Sequence, residues 1–350
     1  MSRVTLRTVA DSLGVSAMTV SNAYSRPDQL SGELRARVLA AAEKLGYPGP
    51  DPAARALRRG HVGSVGLVFT EALSYAFADP YAVAFLRGFA QGCERAEVGL
   101  ELVGAPPGRP GSGRVRDAVV DGFCLFSLPD GHPSVTAALR RRQPLVVVDQ
   151  PRLSGTSFVG IDDRAAARMA AAHLVELGHR RIAVLVDRLS HDGYRGPVDE
   201  RRLSEATYRT ARERLAGYRE GIEAAALAWE ATPVFEAPPS SRAAGRSAGL
   251  SMLAEPQRPT AVLATTDALA LGLMEAARDL GLGVPGELSV VGFDDLPDAA
   301  THGLTTVHQP AAGKGTRAAS LLLGGGNRPV REILRPHLVV RESTMRADPA

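Results

Sequence analysis

The 350-residue chain contains only two cysteines, 5% aromatic residues, and two lysines against 39 arginines. Cys93 and Cys124 lie in apolar segments without metal-ligand spacing, which predicts buried free thiols in a reducing cytoplasm. No apolar run approaches the ~18 residues that a transmembrane helix needs, and no basic-then-apolar export signal begins the chain. These absences predict a cytoplasmic protein without a membrane partner. The shortage of lysine is read as genomic base composition.

Motifs for catalysis are also lacking, since no P-loop, nucleophile elbow or zinc motif occurs in the sequence. Two pairs of adjacent acids, Asp162-Asp163 and Asp294-Asp295, resemble candidates for acid–base chemistry. Neighbouring side chains at a strand end point in opposite directions, however, so adjacency is poor support for a catalytic pair. We therefore predict that the protein is not an enzyme and uses no cofactor or metal.

The N-terminal residues have the spacing of three short helices. Thr5, Ser16 and Ser31 can cap them, and Gly14 permits the turn between the first two. The second helix is expected to bury Val20 and to expose a small and polar face, which suits insertion into a major groove. That face consists of Ala17, Met18, Ser21 and Asn22. A generic three-helix bundle is the alternative.

Charge favours DNA binding over that alternative. Residues 1–60 carry a formal charge of +4, whereas the whole chain carries +3, so the remaining residues sum to −1. A basic excess confined to one small segment is the expected pattern for phosphate contact.

From residue 64 onward, short apolar runs alternate with helical patterns, which predicts parallel sheets covered on both faces. The pattern occurs twice, near 62–161 and 162–308, and indicates two similar lobes around a cleft at the carboxyl ends of the strands. The fold class is therefore α/β, with a helix-turn-helix headpiece and a two-lobed core with parallel sheets. The predicted buried strands are Val65–Phe69, Leu100–Val103, Gly122–Phe126, Leu145–Val148, Ile182–Val186, Ala261–Ala264 and Ser289–Val291. Two further short strands are predicted at Val330–Leu334 and His337–Val340.

Three segments follow from this division: a headpiece at 1–49, a hinge helix or linker at 50–61, and a core at 62–350 with crossovers near 161 and 309. Asp51 and Pro52 favour a helix start, but eight or so residues are too few for a stable isolated helix. A polar insertion at 187–203 is long enough to be either functional or disordered.

Over essentially its full length the chain resembles the LacI/GalR family of transcriptional repressors. The resemblance implies that the two-lobed core is periplasmic-binding-protein-like. The phrases that carry the resemblance occur in order along the chain. They are Val4–Ser21, Arg35–Tyr47, Asp121–Phe123, His173–Ala183, Arg214–Tyr218, Arg258–Val262, Val290–Asp295 and Leu304–Pro310.

The resemblance implies roles for the headpiece and the hinge. Ala17, Met18 and Asn22 take the positions that read bases, unless they merely coat an exposed helix face. Leu57, with Ala54, matches the hinge that enters the minor groove, the alternative being a linker leucine that packs on the core. Residues suited to phosphate contact are Thr5, Ser16, Thr19, Ser21 and Arg26, of which Ser16 has a cap as its alternative role.

The resemblance also implies an effector site in the cleft. Arg214, Asp267 and Asp294 fall on family ligand positions, and Thr266 replaces a frequent asparagine. Tyr75 and Tyr81 could stack on a sugar or fill the core. The implied protein is a homodimeric, ligand-responsive repressor of a palindromic double-stranded DNA operator, with a small polar effector such as a sugar. The alternatives are a solute-binding transport protein and a sugar-processing enzyme.

Overall fold

The computed structural model describes residues 4–50, 60–70, 73–105, 112–255, 257–326 and 328–347. The chain divides into two compact units, Met1–Gly63 and Ser64–Ala350. The predicted hinge residues Ala54 and Leu57 lie outside the described residues.

The first unit contains three helices, because three hydroxyl side chains satisfy the backbone N–H groups at their first turns. Thr5, Ser16 and Ser31 accept from the N–H groups of residues 8, 19 and 34, as their predicted capping role requires. Gly14 ends the first helix at φ +66°, a left-handed conformation that glycine adopts without strain. The helices are α1 (Leu6–Leu13), α2 (Ala17–Ser25) and α3 (Gly32–Lys44), with a 3₁₀ turn at Pro27–Gln29.

The second unit contains two lobes, each built on one sheet. The first lobe has a six-stranded parallel sheet in the order β12-β5-β4-β3-β1-β2. Its strands are β1 (Ser64–Phe69), β2 (Gly99–Gly104), β3 (Phe123–Phe126), β4 (Leu145–Val148), β5 (Ser157–Gly160) and β12 (Arg331–Ile333). Its helices are α4 (Leu73–Ala76), α5 (Pro80–Arg95), α6 (Ser112–Asp117), α7 (Pro133–Arg141) and α14 (Ala311–Leu323).

The second lobe has a seven-stranded sheet in the order β13-β11-β10-β9-β6-β8-β7, in which the two edge strands run antiparallel to their neighbours. Its strands are β6 (Ile182–Val186), β7 (Gly196–Pro197), β8 (Val234–Glu236), β9 (Ala261–Ala264), β10 (Ser289–Asp294), β11 (Thr305–His308) and β13 (His337–Val339). Its helices are α8 (Asp163–Glu176), α9 (Glu200–Ser204), α10 (Arg209–Glu223), α11 (Arg242–Leu253), α12 (Asp267–Asp279) and α13 (Pro297–Thr301), with a 3₁₀ turn at Trp229–Ala231.

The chain passes between the lobes three times. It leaves the first sheet after β5, returns after β11 to form α14, and crosses again between β12 and β13. We call residues 161–162, 309–310 and 334–336 the crossover segments. Because these segments join the lobes covalently, any movement of one lobe against the other must bend them.

Four strands in the described part of the chain are not predicted by the sequence: β5, β7, β8 and β11. Each has only two to four residues and is held by backbone hydrogen bonds to a neighbouring strand. A run this short carries little periodicity, so only the assembled sheet identifies it as a strand. The insertion at 187–203 likewise contains the short elements β7 and α9.

Cys93 and Cys124 are both free and buried, as predicted. Burial raises the pKa of the Cys93 thiol to about 11, and the Glu94 carboxylate adds to the shift. Neither thiol is therefore activated as a nucleophile. Within the described part of the chain, no helix is both long and apolar enough to cross a membrane.

Glycines permit the closest helix contacts of the core. Gly217 in α10 faces the backbone of α8, where an added Cβ would overlap the Arg164 carbonyl oxygen and approach the Ala167 Cβ at 2.8 Å. Gly113 in α6 meets nothing nearer than a guanidinium nitrogen of Arg116 at 3.8 Å. The close approach of α8 and α10 therefore requires glycine at position 217, whereas no close contact among the described residues requires glycine at position 113.

We expect Gly217→Ala to destabilise the core by about 1–3 kcal/mol, because α8 and α10 must separate to admit the methyl group. The matched control Gly113→Ala should be neutral or stabilising by about 0.4–1 kcal/mol, because alanine restricts the unfolded chain. Chemical unfolding followed by circular dichroism measures both. Equal unfolding midpoints for the two variants would contradict this account of helix packing.

Candidate functional site

The exposed face of α2 is the candidate DNA-contacting surface. Ala17 is exposed, and Met18 is 67% exposed despite its apolar side chain. Asn22 is half-buried, and its Nδ2 donates to Gln29 Oε1 at 3.3 Å. The Asn22 side chain can therefore turn outward by giving up one weak hydrogen bond.

Hydroxyl groups surround that face. Thr5 Oγ1 accepts from the Thr8 backbone N–H at 3.3 Å, and Ser16 Oγ accepts from the Thr19 N–H at 3.0 Å. Thr5 and Ser16 are exposed, as is Arg26, whereas Thr19 is half-buried. Each hydroxyl can still accept or donate one further hydrogen bond.

Ser21 differs from expectation, since it was predicted to be exposed and is only 8% exposed. The short helix α2 packs against both α1 and α3, so its buried side is wider than a single stripe and includes Ser21 beside Val20 and Ala23. This is a correction to the predicted exposed face. The Ser21 hydroxyl is not available at the surface in the way that Ser16 is.

A cleft of about 850 Å³, open to solvent, lies between the two lobes of the core at the carboxyl ends of the strands. Its lining combines aromatic rings with carboxylates, hydroxyls and two guanidinium groups. The residues are Phe69, Thr70, Asp79, Tyr81, Ala82, Phe126, Ser127, Asp149, Asp187, Arg188, Tyr208, Thr210, Ala211, Arg214, Ser240, Thr265, Thr266, Asp294 and Gln309.

Arg214 projects from α10 into this cleft in a fixed orientation. Its Nε donates to Asp163 Oδ1 at 2.9 Å, and its Nη1 donates to the Thr265 carbonyl oxygen at 2.6 Å. The guanidinium carbon lies 3.7 Å from the centre of the Phe293 ring. Stacking and two hydrogen bonds hold the guanidinium plane, which leaves its remaining N–H groups to a ligand.

Asp294 ends β10 with φ +126°, an unusual conformation for a residue with a side chain. Its Oδ1 accepts from Gln309 Nε2 at 2.5 Å. Burial raises the pKa of the Asp294 carboxyl well above its usual value, and the nearby Asp267 adds to the shift. A strained backbone here turns a buried carboxyl group toward the cleft.

Thr266 and Asp267 occupy different positions relative to the cleft. Thr266 lines it, accepts from Ser240 Oγ at 2.9 Å and caps α12. Asp267 lies behind the wall, where its carboxylate accepts from Thr306 Oγ1 at 2.5 Å and from the Leu296 N–H at 2.9 Å. Asp267 therefore braces the end of β10 instead of facing the cavity.

Tyr81 lines the cleft and is held there by hydrogen bonding and by stacking. Its hydroxyl donates to Asp149 Oδ2 at 2.8 Å, and its ring stacks on Phe126 with centroids 6.0 Å apart. The side chain of Tyr75, the other predicted aromatic residue, lies outside the described part of the structure.

Sequence reasoning missed a buried lysine beside Tyr81. Lys314 is fully buried, and its Nζ donates to Asp149 Oδ1 at 2.6 Å, to Gln309 Oε1 at 2.5 Å and to Tyr81 Oη at 2.8 Å. The sequence contains one signal for this site, because Lys314 is one of only two lysines and lies in a segment of small apolar residues. Reading the shortage of lysine as base composition overlooks that signal.

Hydrogen bonds also join the lobes directly around the cleft. Arg212 Nη2 donates to Asp130 Oδ2 at 2.6 Å, and the Thr210 backbone N–H donates to Gln150 Oε1 at 2.9 Å. Asp130 and Gln150 belong to the first lobe, whereas Thr210 and Arg212 belong to α10 of the second. These contacts would have to break if the lobes separated.

The adjacent acids that the sequence raised as a possible pair face different partners. Asp295 accepts from Arg341 Nη2 at 2.6 Å and from His308 Nδ1, whereas Asp294 faces the cleft. Asp162 caps α8, whereas Asp163 pairs with Arg214. Neither pair brings two carboxyl groups together on one reacting atom.

Known proteins match both units. Residues 5–49 match the family described as bacterial regulatory proteins, lacI family, and residues 171–344 match a periplasmic binding protein-like domain. An HTH-type transcriptional regulator of Mycobacterium tuberculosis (strain ATCC 25618 / H37Rv) is 46% identical over 343 residues, which cover 96% of each chain.

Two solved structures extend the comparison. A complex of the transcriptional regulator CelR with cellobiose is 29% identical, has a TM-score of 0.70 and covers 97% of this chain and 100% of its own. The lac repressor dimer bound to operator and an anti-inducer is 25% identical, has a TM-score of 0.77 and covers 98% of this chain and 100% of its own.

A helix-turn-helix headpiece joined to a two-lobed, periplasmic-binding-protein-like core defines a class of DNA-binding regulators. This chain belongs to the LacI family of bacterial regulatory proteins. The predicted family and fold class are therefore confirmed, as is the prediction that the protein is not an enzyme. It is a transcriptional regulator and not a transport protein.

The buried carboxyl group of Asp267 is expected to make the stability of the folded protein depend on pH. Burial raises its pKa from 3.8 to about 6, although hydrogen bonds from Thr306 and Leu296 oppose the shift. The folded protein therefore holds this proton more tightly than the unfolded chain does. The resulting stabilisation is present below about pH 4 and is lost as the pH rises through about 6.

In the Asp267→Asn variant, the part of the pH dependence of stability that comes from Asp267 should disappear, because the asparagine amide does not titrate. The free energy of unfolding, measured from about pH 4 to pH 7, should fall less steeply in the variant than in the parent. Asp117→Asn, at an exposed position of α6, is the control and should follow the parent. Parallel curves for the parent and Asp267→Asn would refute the assignment.

Proposed function

We propose that this protein is a homodimeric repressor whose affinity for a palindromic operator changes when a small polyhydroxylated molecule, a sugar in the simplest case, binds in the interlobe cleft. The observation that carries the proposal is the pairing of a basic, capped headpiece with a polar cleft framed by aromatic rings. In this proposal residues 1–49 bind DNA, residues 50–61 form the hinge and residues 62–350 bind effector and partner. Because it acts on the chromosome, we place the protein in the cytoplasm.

For operator recognition, we assign base contacts to Ala17, Met18 and Asn22. The exposed Met18 and Ala17 suit the methyl group of thymine, and an asparagine amide can bind adenine through two hydrogen bonds. Thr5, Ser16, Thr19 and Arg26 suit phosphate contact. Ser21 is assigned no phosphate contact, since its side chain is buried. The lac repressor in its complex is a dimer on its operator, which supports the same assembly here.

This assignment separates specificity from affinity. Asn22→Ala should relax base preference at one position in each half-site, at a cost of about 1–3 kcal/mol there, because a direct base contact is lost. Arg26→Ala should weaken all sites alike and should reduce the salt dependence, because it removes only a phosphate contact. Selection from a random-sequence DNA pool, followed by gel shifts at several salt concentrations, measures both effects. An unchanged selected motif in Asn22→Ala would show that this residue does not read a base.

The chemistry of the cleft favours an uncharged, hydroxyl-rich effector. Both guanidinium groups that line it already pair with a carboxylate, Arg188 with Asp187 at 3.8 Å and Arg214 with Asp163 at 2.9 Å. An anionic ligand would have to compete with these carboxylates, whereas sugar hydroxyls can donate to carboxylates and accept from guanidinium groups. The rings of Phe69, Phe126, Tyr81 and Tyr208 offer apolar surface to a sugar face. The CelR structure contains cellobiose, which is consistent with this class.

We assign Arg214, Asp294 and Thr266 to direct contact, Tyr81 to stacking, and Asp267 to bracing the end of β10 behind them. Asp294 is joined through Gln309 to a crossover segment, so effector contact at this carboxyl group would act on the segment that bends when the lobes move. A change in lobe closure would then alter the spacing of the two headpieces in the dimer.

Asp294→Ala should abolish the effector response while leaving a folded protein that binds operator, because the residue lies in the cleft and not in the headpiece. A thermal-shift screen of monosaccharides, disaccharides and nucleosides first identifies a ligand that raises the unfolding midpoint. Calorimetry then compares the variants. The control is Asp298→Ala, at an exposed carboxylate of α13 outside the cleft, which should keep the parent's affinity. Unchanged effector affinity in both Asp294→Ala and Arg214→Ala would refute the site.

A further inference from the structure

A second cavity of about 550 Å³ lies on the other side of the Asp149 and Thr210 wall, beside the crossover segment at 161–162. Asp149 and Thr210 line both this cavity and the effector cleft. Four arginines and four carboxylates line it. Its residues are Asp149, Arg152, Ile161, Asp162, Asp163, Arg164, Arg209, Thr210, Glu213, Arg331 and Ile333.

The carboxylates of this cavity already have partners. Asp149 accepts from Lys314, and Asp163 accepts from Arg214 at 2.9 Å, so both are neutralised by cations outside the cavity. Asp162 accepts from the N–H of Ala165 as the cap of α8.

The last carboxylate, Glu213, pairs with Arg209 at 3.0 Å within α10. Within the described part of the chain, none of the four acids forms an ion pair with Arg152, although the charges of Asp163 and Asp149 still attract it.

Arg152 differs from the other charged residues of the cavity, because two of its nitrogen atoms are buried without a partner in the part of the chain that the structure describes. Among the described residues, its Nε and Nη1 atoms are buried without a hydrogen-bond partner, while its guanidinium carbon lies 3.5 Å from the centre of the Phe158 ring. Burial, with the charges of Arg331 and Arg209, lowers its pKa. Stacking holds the guanidinium plane in place but satisfies none of those N–H groups. A buried donor left unpaired costs free energy, which an oxyanion accepting from it would recover.

We propose that this second cavity binds a doubly charged tetrahedral oxyanion, inorganic phosphate or a phosphate monoester, held by Arg152 and Arg331. Two guanidinium groups that face one cavity can each donate two N–H groups to such an anion. The anion would offset the repulsion between the two arginines. Because Nε and Nη1 of Arg152 are buried, the side chain must rotate to bring these unpaired donors to the anion. The ligand class thus differs from the uncharged effector that suits the first cleft.

The position of this site connects it to lobe movement. Arg152 and Arg331 belong to the first lobe, whereas Arg164 and Arg209 belong to the second, and Ile161 and Asp162 form a crossover segment. An oxyanion held by Arg152 and Arg331 would face Arg164 and Arg209 across the boundary between the lobes, although these two arginines already pair with Glu220 and Glu213. It would therefore favour the lobe arrangement that keeps all four cations close to the anion.

Calorimetric titration of the full-length protein with inorganic phosphate, at constant ionic strength and without DNA or sugar, tests the proposal. The parent should bind one phosphate per chain, and Arg331→Gln should bind it at least tenfold more weakly. Arg331 is exposed on β12, so its variant should fold normally. The matched control Arg335→Gln changes an exposed arginine outside the cavity and should bind like the parent.

Arg152→Met provides a second measurement. It should lose phosphate binding, and without phosphate it should unfold at a temperature no lower than the parent, because it removes an unsatisfied buried cation. Repeating the titration with glycerol phosphate distinguishes the source: tighter binding than phosphate indicates a phosphorylated metabolite, and equal binding indicates free phosphate.

The proposal is overturned if the parent binds no phosphate at about 10 mM, or if parent, Arg331→Gln and Arg335→Gln bind it equally. Because the titration contains neither operator nor sugar, its failure would leave the proposed repressor function untouched. Loss of operator binding would likewise leave this result standing.

Discussion

The buried ion pair between Lys314 and Asp149 is the interaction on which the interior of the core depends. Removing two charges from water is unfavourable, and leaving one partner of such a pair alone costs about 3–5 kcal/mol. Here the ammonium is fully buried and also donates to Gln309 and Tyr81, so every polar group around it has a fixed position. The pair thereby sets the geometry of the cleft wall on the side of the first lobe.

This network also joins features that would otherwise be independent. Gln309 lies in a crossover segment, accepts from Lys314 in the first lobe and donates to Asp294 in the second. Arg214 performs a similar role in the second lobe, since it links Asp163 next to a crossover to the Thr265 backbone at the cleft. Polar groups at the cleft are therefore hydrogen-bonded to residues in or next to the crossover segments, which must bend when the lobes move. A contiguous set of contacts of this kind can couple ligand binding to the arrangement of the lobes.

Much of the fold could be predicted from local patterns. The caps at Thr5 and Ser16 and the apolar strands β1 and β6 depend on neighbouring residues, so periodicity and composition identify them. Strands such as β8 and β11 could not be found, because pairing in the assembled sheet creates them. Ser21 was misplaced for the same reason: its burial depends on two helices packing against α2 at once.

The sequence by itself determined the class of protein, because three of its features can each be recognised within a short segment. They are the helix-turn-helix spacing, the local basic excess, and the alternation of strands and helices. It also indicated Arg214 and Asp294 through family phrases. Only the tertiary structure decided that Asp267 lies behind the cleft, that Lys314 neutralises Asp149 from 165 residues away, and that Arg152 faces a second cavity with Arg331. Burial and charge pairing are properties of space, and residues distant along the chain acquire them only when the two lobes fold.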